Sequence, residues 1–361
     1  MRADSRDLTA ESREPRAESR EPLADALRID AGAEVERIAQ TIRTQVGEQL
    51  KRRGVVVAMS GGVDSSVCVA LAVKAFGARR VFGLAMPEAD SDPASVGLAE
   101  RWANTLGIGF VVEDITSTLD AVGCYRRRDE AIRQVVPEFG AGWRCKIVLP
   151  EDRLDRNRLN LSSLIVESPS GERETVRLSA EAYRQIVAAT SFKQRVRKML
   201  EYYHADRLHY AVLGTPNRLE YDQGFFVKGG DGLADVKPIA HLYKTQVYQL
   251  AEVLDVPSEI TARAPTTDTY SLPQSQDEFY FSLPTRAMDI ALSAFDAGAP
   301  AADTARNLGL EAEQVERIYR DIAQKRATTA YLHLPPLLVE PVIDGRAAAN
   351  RSDGAEPGDA D

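Results

Sequence analysis

Apolar positions recur along this chain with two different periods, and the switches between them outline its elements. From Glu34 onward, Val35, Ile38, Ile42, Val46 and Leu50 follow at steps of three and four, which predicts an amphipathic helix over 34–50. Gly54-Val55-Val56-Val57-Ala58-Met59 is then apolar without interruption, as a strand buried on both faces must be, here 55–59. A polar, Gly-rich turn leads into a helical pattern at 65–76. A strand at 81–86, a helix at 93–106 and a strand at 109–115 follow. This alternation predicts an α/β fold built on a doubly wound parallel sheet. Tyr210-Ala211-Val212-Leu213 adds a further buried strand, ending in the polar stretch Gly214-Thr215-Pro216-Asn217. In such sheets ligands bind beyond the carboxyl ends of the strands, where the winding reverses. The Ser60 loop and the Gly214 loop both occupy such ends, so they can line one site.

Between Arg144 and Ser191 the alternation breaks. Leu164-Ile165-Val166-Glu167 and Thr175-Val176-Arg177-Leu178 flank Pro169-Ser170-Gly171, a β-hairpin pattern that suits an edge decoration or a lid. It marks an insertion at about 145–190. Residues 10–22 repeat Ala-Glu-Ser-Arg-Glu-Pro, charged and nearly free of large apolar residues, so 1–28 is expected to be a disordered tail. The Ala-, Gly-, Asp- and Asn-rich end, 343–361, is expected to behave alike, leaving one domain at 29–342. Near its end Leu308-Gly309-Leu310-Glu311 and then Val315, Ile318, Tyr319 and Ile322 give a helix–turn–helix rhythm.

Composition decides how to read that rhythm. A net charge of −9 leaves no basic excess to neutralise nucleic-acid phosphates, which favours packing over DNA reading. Three scattered cysteines (Cys68, Cys124, Cys145) suit neither a disulfide framework nor a zinc site. The four histidines, His204, His209, His241 and His333, have no metal-ligand spacing. No apolar stretch reaches membrane-spanning length and no signal-peptide core opens the chain, so a cytoplasmic protein with no membrane partner is expected.

Candidate chemistry concentrates in two blocks. After Ala58-Met59, the string Ser60-Gly61-Gly62-Val63-Asp64-Ser65-Ser66 joins a strand to a helix start. That geometry aims backbone N–H groups and a helix dipole at one point, which suits pyrophosphate. The glycines permit close approach and the serines add donors. The Gly-Lys-Ser/Thr of a Walker A loop is missing, and Asp64 offers a carboxylate for a metal instead. The string resembles the pyrophosphate-binding loop of the PP-loop ATP pyrophosphatases, which split ATP into AMP and pyrophosphate. The second block, from Gly214 to Gln246, holds the carboxylates Glu220, Asp231 and Asp235, the cations Lys228 and Lys244, and the loop formers Gly229, Gly230 and Gly232. Its Phe225-Phe226 pair suits core packing, dimer packing or substrate stacking. With its Gly-Asp-Gly-x-Ala-Asp turn and Lys-x-Gln helix, this block resembles the synthetase domain of NAD synthases. The resemblance runs over about 30–340, interrupted by the insertion.

The resemblance implies an ammonia-dependent ligase that amidates deamido-NAD⁺ through an acyl-adenylate, giving NAD⁺, AMP and pyrophosphate. The alternative is a PP-loop amide ligase that adenylates a different carboxylic acid. ATP is implied to lie against Ala58, Met59, Ser60, Gly61, Gly62, Val63, Asp64, Ser65, Thr215, Lys244 and Thr266. Mg²⁺ is implied at Asp64 and Glu220, and deamido-NAD⁺ at Arg195, Lys228, Asp235 and Lys325. The chemistry agrees with these residue types. A carboxylate must approach the ATP α-phosphate, so Mg²⁺ at Asp64 and Glu220 would neutralise both anions, and Lys244 would stabilise the departing pyrophosphate. Three departures concern the acid substrate: Ser191-Phe192-Lys193-Gln194-Arg195 replaces the usual Asn-x-Lys-Ala-Arg, Gln324-Lys325 replaces a His-Lys pair, and the hairpin insertion sits close to the substrate segment. The nitrilase-type glutaminase domain of glutamine-dependent NAD synthases is about as large as this whole chain. Ammonia is therefore expected free from solution or from a separate glutaminase. The family resemblance also implies a homodimer, and the 34–50 stripe, broad for a monomer surface, points the same way.

Overall fold

The computed structural model describes residues 27–149, 162–264, 269–281 and 283–340. Most of the first expected tail, all of the second, positions 150–161 of the expected insertion and Thr266 lie outside the described residues. The strands are β1 (Val55–Ala58), β2 (Val81–Ala85), β3 (Gly109–Val112), β4 (Arg144–Val148), β5 (Ser163–Glu167), β6 (Arg173–Arg177) and β7 (Ala211–Leu213). Around them run α1 (Ala31–Arg43), α2 (Val63–Phe76), α3 (Pro93–Leu106), α4 (Thr116–Ala121), α5 (Cys124–Arg133), α6 (Ala180–Leu208) and α7 (Arg218–Gln223). The helices α8 (Lys244–Val253), α9 (Ser258–Thr261), α10 (Gln276–Phe279), α11 (Thr285–Asp296), α12 (Ala301–Leu308) and α13 (Ala312–His333) complete the fold.

One parallel sheet carries the site, with strand order β3-β2-β1-β7. The chain winds outward from β1 through β2 to β3 and then returns to the far side of β1 for β7. The winding reverses between β1 and β7, as the doubly wound reading requires. Side chains alternate along β1: Val55 and Val57 join α1, α2 and α8 in the largest core, whereas Val56 packs with Ala205 of α6 and Val212. Such two-sided burial is why β1 reads as an unbroken apolar run. Gly54 precedes it because a Cβ there would lie 2.2 Å from the Arg80 carbonyl oxygen.

The first helix starts at Asp30, whose carboxylate accepts from the Ala33 amide at 2.9 Å. It widens into a π-helical turn over Thr44–Gln49. Val35, Ile38, Ile42 and Val46 are buried against α2 and α8 within the chain. The apolar stripe is thus used internally, and it no longer argues for a dimer. Leu27, within the stretch expected to be a tail, is buried with residues of α11 and α13, and its carbonyl accepts from Gln249.

The hairpin is β5 and β6, and β4, which the alternation did not reveal, pairs antiparallel with β5 to make a three-stranded sheet. Ile147, Leu164 and Val166 face a second core with Ala131, Ile132 and Ile186. Ser179 caps α6 by accepting from the Ala182 amide at 3.1 Å. Residues 180–190 are therefore the first turns of α6 and not part of the insertion. In the C-terminal pair α12–α13, Val315, Ile318 and Ile322 are buried, the last two in one core with Met288 and Leu292 of α11, so the rhythm seen there is one of packing.

Ile42→Ala is expected to cost about 2–4 kcal/mol in a urea melt by opening a cavity in the main core, with no change in oligomer mass by light scattering. Dissociation of an assembly at unchanged monomer stability would show that the stripe is an interface after all.

Candidate functional site

The site begins where β1 runs out. Gly61 takes φ +74°, and a Cβ on it would lie 2.5 Å from the Ser95 carbonyl oxygen, so the loop needs glycine there. Ser65 and Ser66 turn their hydroxyls onto the Gly62 carbonyl at 3.1 and 2.9 Å, and the Ser65 hydroxyl also accepts from the Ser60 amide at 3.3 Å. Gly62, in extended conformation, is the N-cap of α2 and offers no side chain to its first amides. The positive end of α2 therefore opens toward the cavity, an arrangement suited to an anion.

Opposite this loop the chain leaving β7 turns into α7. Asn217 and Glu220 form a reciprocal cap: the Glu220 amide donates to Asn217 Oδ1 at 3.1 Å, and the Asn217 amide donates to Glu220 Oε2 at 3.2 Å. Gln276 donates to Glu220 Oε1 at 2.8 Å. From the start of α8, Lys244 is ion-paired with Asp64 Oδ2, and Asn217 Nδ2 reaches Asp64 Oδ1 at 3.5 Å. The buried Asp289 fixes that end of α8 by accepting from the Thr245 amide at 2.8 Å.

The electrostatics follow from crowding. Burial, together with the Asp64 carboxylate nearby, pushes the Glu220 carboxyl up to about 7. Burial works against the Lys244 ammonium, but Asp64 and Glu220 outweigh it and hold its pKa above the ordinary lysine value. Two carboxylates sharing one ammonium leave the site short of positive charge. The donors are all oxygens, which fits a hard divalent cation such as Mg²⁺. Among the described residues no cluster of three His, Cys, Asp or Glu side chains exists. The remaining ligands of such an ion would be phosphate oxygens and water.

A cavity of about 460 Å³ collects these groups. Of the residues expected to bind ATP, Ala58, Met59, Ser60, Gly62, Val63, Asp64, Ser65, Thr215 and Lys244 line it, as does Glu220, expected at Mg²⁺. Gly61 shapes the loop from behind. The four residues expected at the second substrate do not line the cavity. Arg195 Nε donates to the Lys228 carbonyl at 3.4 Å, and Lys228 Nζ donates to the Tyr331 carbonyl at 2.8 Å, both on exposed surface. Asp235 accepts from the Val212 amide at 2.8 Å and from the Tyr202 hydroxyl at 3.2 Å, so it supports β7. Lys325 donates to Asp321 at 2.7 Å and to the Tyr280 carbonyl at 2.8 Å.

Residues outside the set expected at the second substrate form the rest of the wall. Gln194, Arg197, Lys198 and Glu201 of α6 face the cavity, joined by Phe226, Val227 and Asp231. Their spacing of three and four was the available signal, but it becomes visible only once α6 is known to start at Ala180. Phe225 stacks on Tyr280 with ring centroids 4.7 Å apart, so it serves both the core and the cavity wall.

A family model described as NAD synthase matches residues 34–138 and 165–328. The chain is 57% identical over 319 residues to an NH(3)-dependent NAD(+) synthetase of Rhizobium rhizogenes, covering 88% of this chain and 96% of that relative. It is 35% identical over 254 residues to one of Thermotoga neapolitana, covering 70% of this chain and 81% of the relative. Among solved structures, the NH3-dependent NAD synthetase from Campylobacter jejuni subsp. jejuni superposes with a TM-score of 0.56 at 20% identity. That match covers 86% of this chain and 100% of the other, a likeness of fold.

A carboxyl with a raised folded pKa keeps its proton longer than the unfolded chain does. Between pH 4.5 and about 7 the folded protein therefore binds more protons through Glu220, and metal-free stability should fall as pH rises through that window. Urea melts at pH 5 and 8 in chelator should show this slope in the wild type and a flatter one in Glu220→Gln. Equal slopes would remove Glu220 as its source.

Proposed function

The chain belongs to the NAD synthase family, and from that premise we propose that it joins ammonia to deamido-NAD⁺ at the expense of ATP. The observation that carries this reading is the placement of Asp64, Glu220 and Lys244 around the open N-terminus of α2, between the carboxyl ends of β1 and β7. The amides of the Ser60–Ser65 loop hold the ATP β,γ-pyrophosphate, and Asp64 and Glu220 would hold Mg²⁺, which when bound would neutralise phosphate charge. The deamido-NAD⁺ carboxylate attacks the α-phosphorus, forming a C–O–P linkage as the bond to pyrophosphate breaks. Lys244 faces the charge that grows on the departing pyrophosphate. Ammonia then attacks the activated carbonyl, AMP leaves, and the nitrogen gives up a proton to form the amide. No side-chain nucleophile is required.

The second nucleotide extends from the cavity mouth across Arg195 and Lys228, which follow directly on the lining residues Gln194 and Val227. A homodimer belongs to the same proposal. Its support is the exposed apolar surface of Met199 and Tyr203 on α6, with Leu233 nearby in sequence to Lys228, in place of the α1 stripe. Residues 29–342 act as one PP-loop domain bearing the small antiparallel sheet. Ammonia comes from solution or from a separate glutaminase, and the setting is cytoplasmic. In keeping with that, no helix among the described residues is long and apolar enough to cross a membrane. No specific observation favours a different acid substrate.

With Mg-ATP, ammonium and deamido-NAD⁺, mass analysis should find NAD⁺, AMP and pyrophosphate, and Asp64→Ala should slow turnover by on the order of 10²–10³. ADP as the main product would overturn the reading. Lys228→Ala should raise KM for deamido-NAD⁺ by about ten- to a hundredfold and leave KM for ATP nearly unchanged. An equal rise in both constants would take Lys228 out of second-nucleotide recognition.

A further inference from the structure

Behind the cavity wall, α6 carries a buried ammonium. Lys193 is fully buried, and its Nζ meets Glu88 Oε1 at 2.9 Å, Asp90 Oδ2 at 2.6 Å and the Thr269 carbonyl at 2.8 Å. Three acceptors satisfy the three donors of an ammonium. The two carboxylates are held in turn from α5: Tyr125 donates its hydroxyl to Glu88 Oε2 at 2.8 Å, and Arg128 donates to Asp90 Oδ2 at 2.6 Å. A buried charge of this kind is costly to install and adds little net stability over a well-packed apolar residue. Stability alone is thus a poor reason for it.

What the ammonium joins is informative. Glu88 and Asp90 sit in the loop that leaves β2, and Thr269 belongs to a segment nearly two hundred residues later in the chain. Met86, Pro87 and Ser91 of the first segment and Thr269 and Tyr270 of the second line the cavity, whereas Lys193 itself does not. This wall stands at the end of β2, one strand over from the Ser60 loop at the end of β1. Met86, Pro87 and the Tyr270 ring give it an apolar character that suits a base and sugar rather than a phosphate.

We propose that Lys193 is a positioning residue for the nucleoside half of ATP. Its ammonium fixes the distance between the β2 loop and the Thr269–Tyr270 segment, so that the wall is already shaped when the phosphates dock. This rests on the ATP-dependent reading given above. Pyrophosphate recognition, built on the Ser60 loop and Lys244, is independent of it.

Calorimetric titration of the full chain with Mg-ATP and with Mg-pyrophosphate tests this, alongside thermal melts. Lys193→Met leaves Glu88 and Asp90 short of a cation and should lower Tm. Lys193→Met/Glu88→Gln removes one stranded charge while Arg128 still pairs with Asp90, and should recover much of that loss. Both variants should bind ATP on the order of ten- to a hundredfold more weakly and bind pyrophosphate as the wild type does. In turnover, KM for ATP should rise in the same proportion while kcat holds. ATP affinity equal to wild type in the double variant overturns the proposal. So does a loss of pyrophosphate binding in step with ATP, or failure of both variants to fold, since each marks the cluster as merely structural. A wild-type protein that makes no NAD⁺ would defeat the proposed activity, yet these titrations would still decide the role of Lys193.

Discussion

Two carboxylates and one ammonium share a small buried space between the ends of β1 and β7, and much of the molecule is arranged around that imbalance. Asp64 takes the Lys244 ammonium in a direct ion pair, while Glu220 accepts hydrogen bonds from Asn217 and Gln276 and has a carboxyl pushed up to about 7. Pairing both carboxylates with cations of the chain would have made a quiet structural ion cluster. A site left one charge short is what the proposed Mg²⁺, arriving with phosphate, would make good. Each member is placed by the start of a helix. Asp64 lies in the first turn of α2, Glu220 in the first turn of α7 and Lys244 at the start of α8, so three helix beginnings meet at one point.

That convergence depends on the topology of the sheet. If β7 extended the sheet beyond β3, the Gly214 loop would open far from the Ser60 loop and no crevice would exist between them. With β7 beside β1, the two loops separate to opposite sides and leave room for a ligand. The burial of α1 against α2 and α8 serves the same end. It holds the helices that present Asp64 and Lys244 in fixed register, and Asp289 anchors the start of α8 from behind.

The long helix α6 divides its labour by face. Gln194, Arg197, Lys198 and Glu201 look into the cavity, Lys193 is buried against the β2 loop and α5, and Met199 and Tyr203 are exposed. The small antiparallel sheet contributes to this by packing on the first turns of α6 and on α5, where Ile147, Leu164 and Val166 meet Ile186 and Ile132. It thus braces the helix whose middle turns form one wall of the cavity.

Local physics made a large part of this legible in the sequence. The strands of the main sheet, the α2 loop and the hairpin follow from apolar runs, paired glycines and a Pro/Gly turn, each of which acts over a few residues. That the Ser60 loop and the Glu220–Lys244 block would line one cavity was readable because both follow the carboxyl ends of apolar strands. The placement of Arg195, Lys228, Asp235 and Lys325 was not, because a charged residue gives no sign of which way it faces. Asp235 turned out to bond the β7 backbone, and Arg195 lies on exposed surface beside the cavity-lining face of α6, one position from Gln194, which lines it. The stripe on α1 misled for a similar reason, since an apolar face does not say whether its cover comes from the same chain. Strand β4 and the Lys193 cluster were hidden because their partners lie far along the sequence. Sequence determined which segments could be strands, helices and anion loops, whereas only the tertiary structure decided which faces met, because pairing across long chain separations is settled by the packing of the whole.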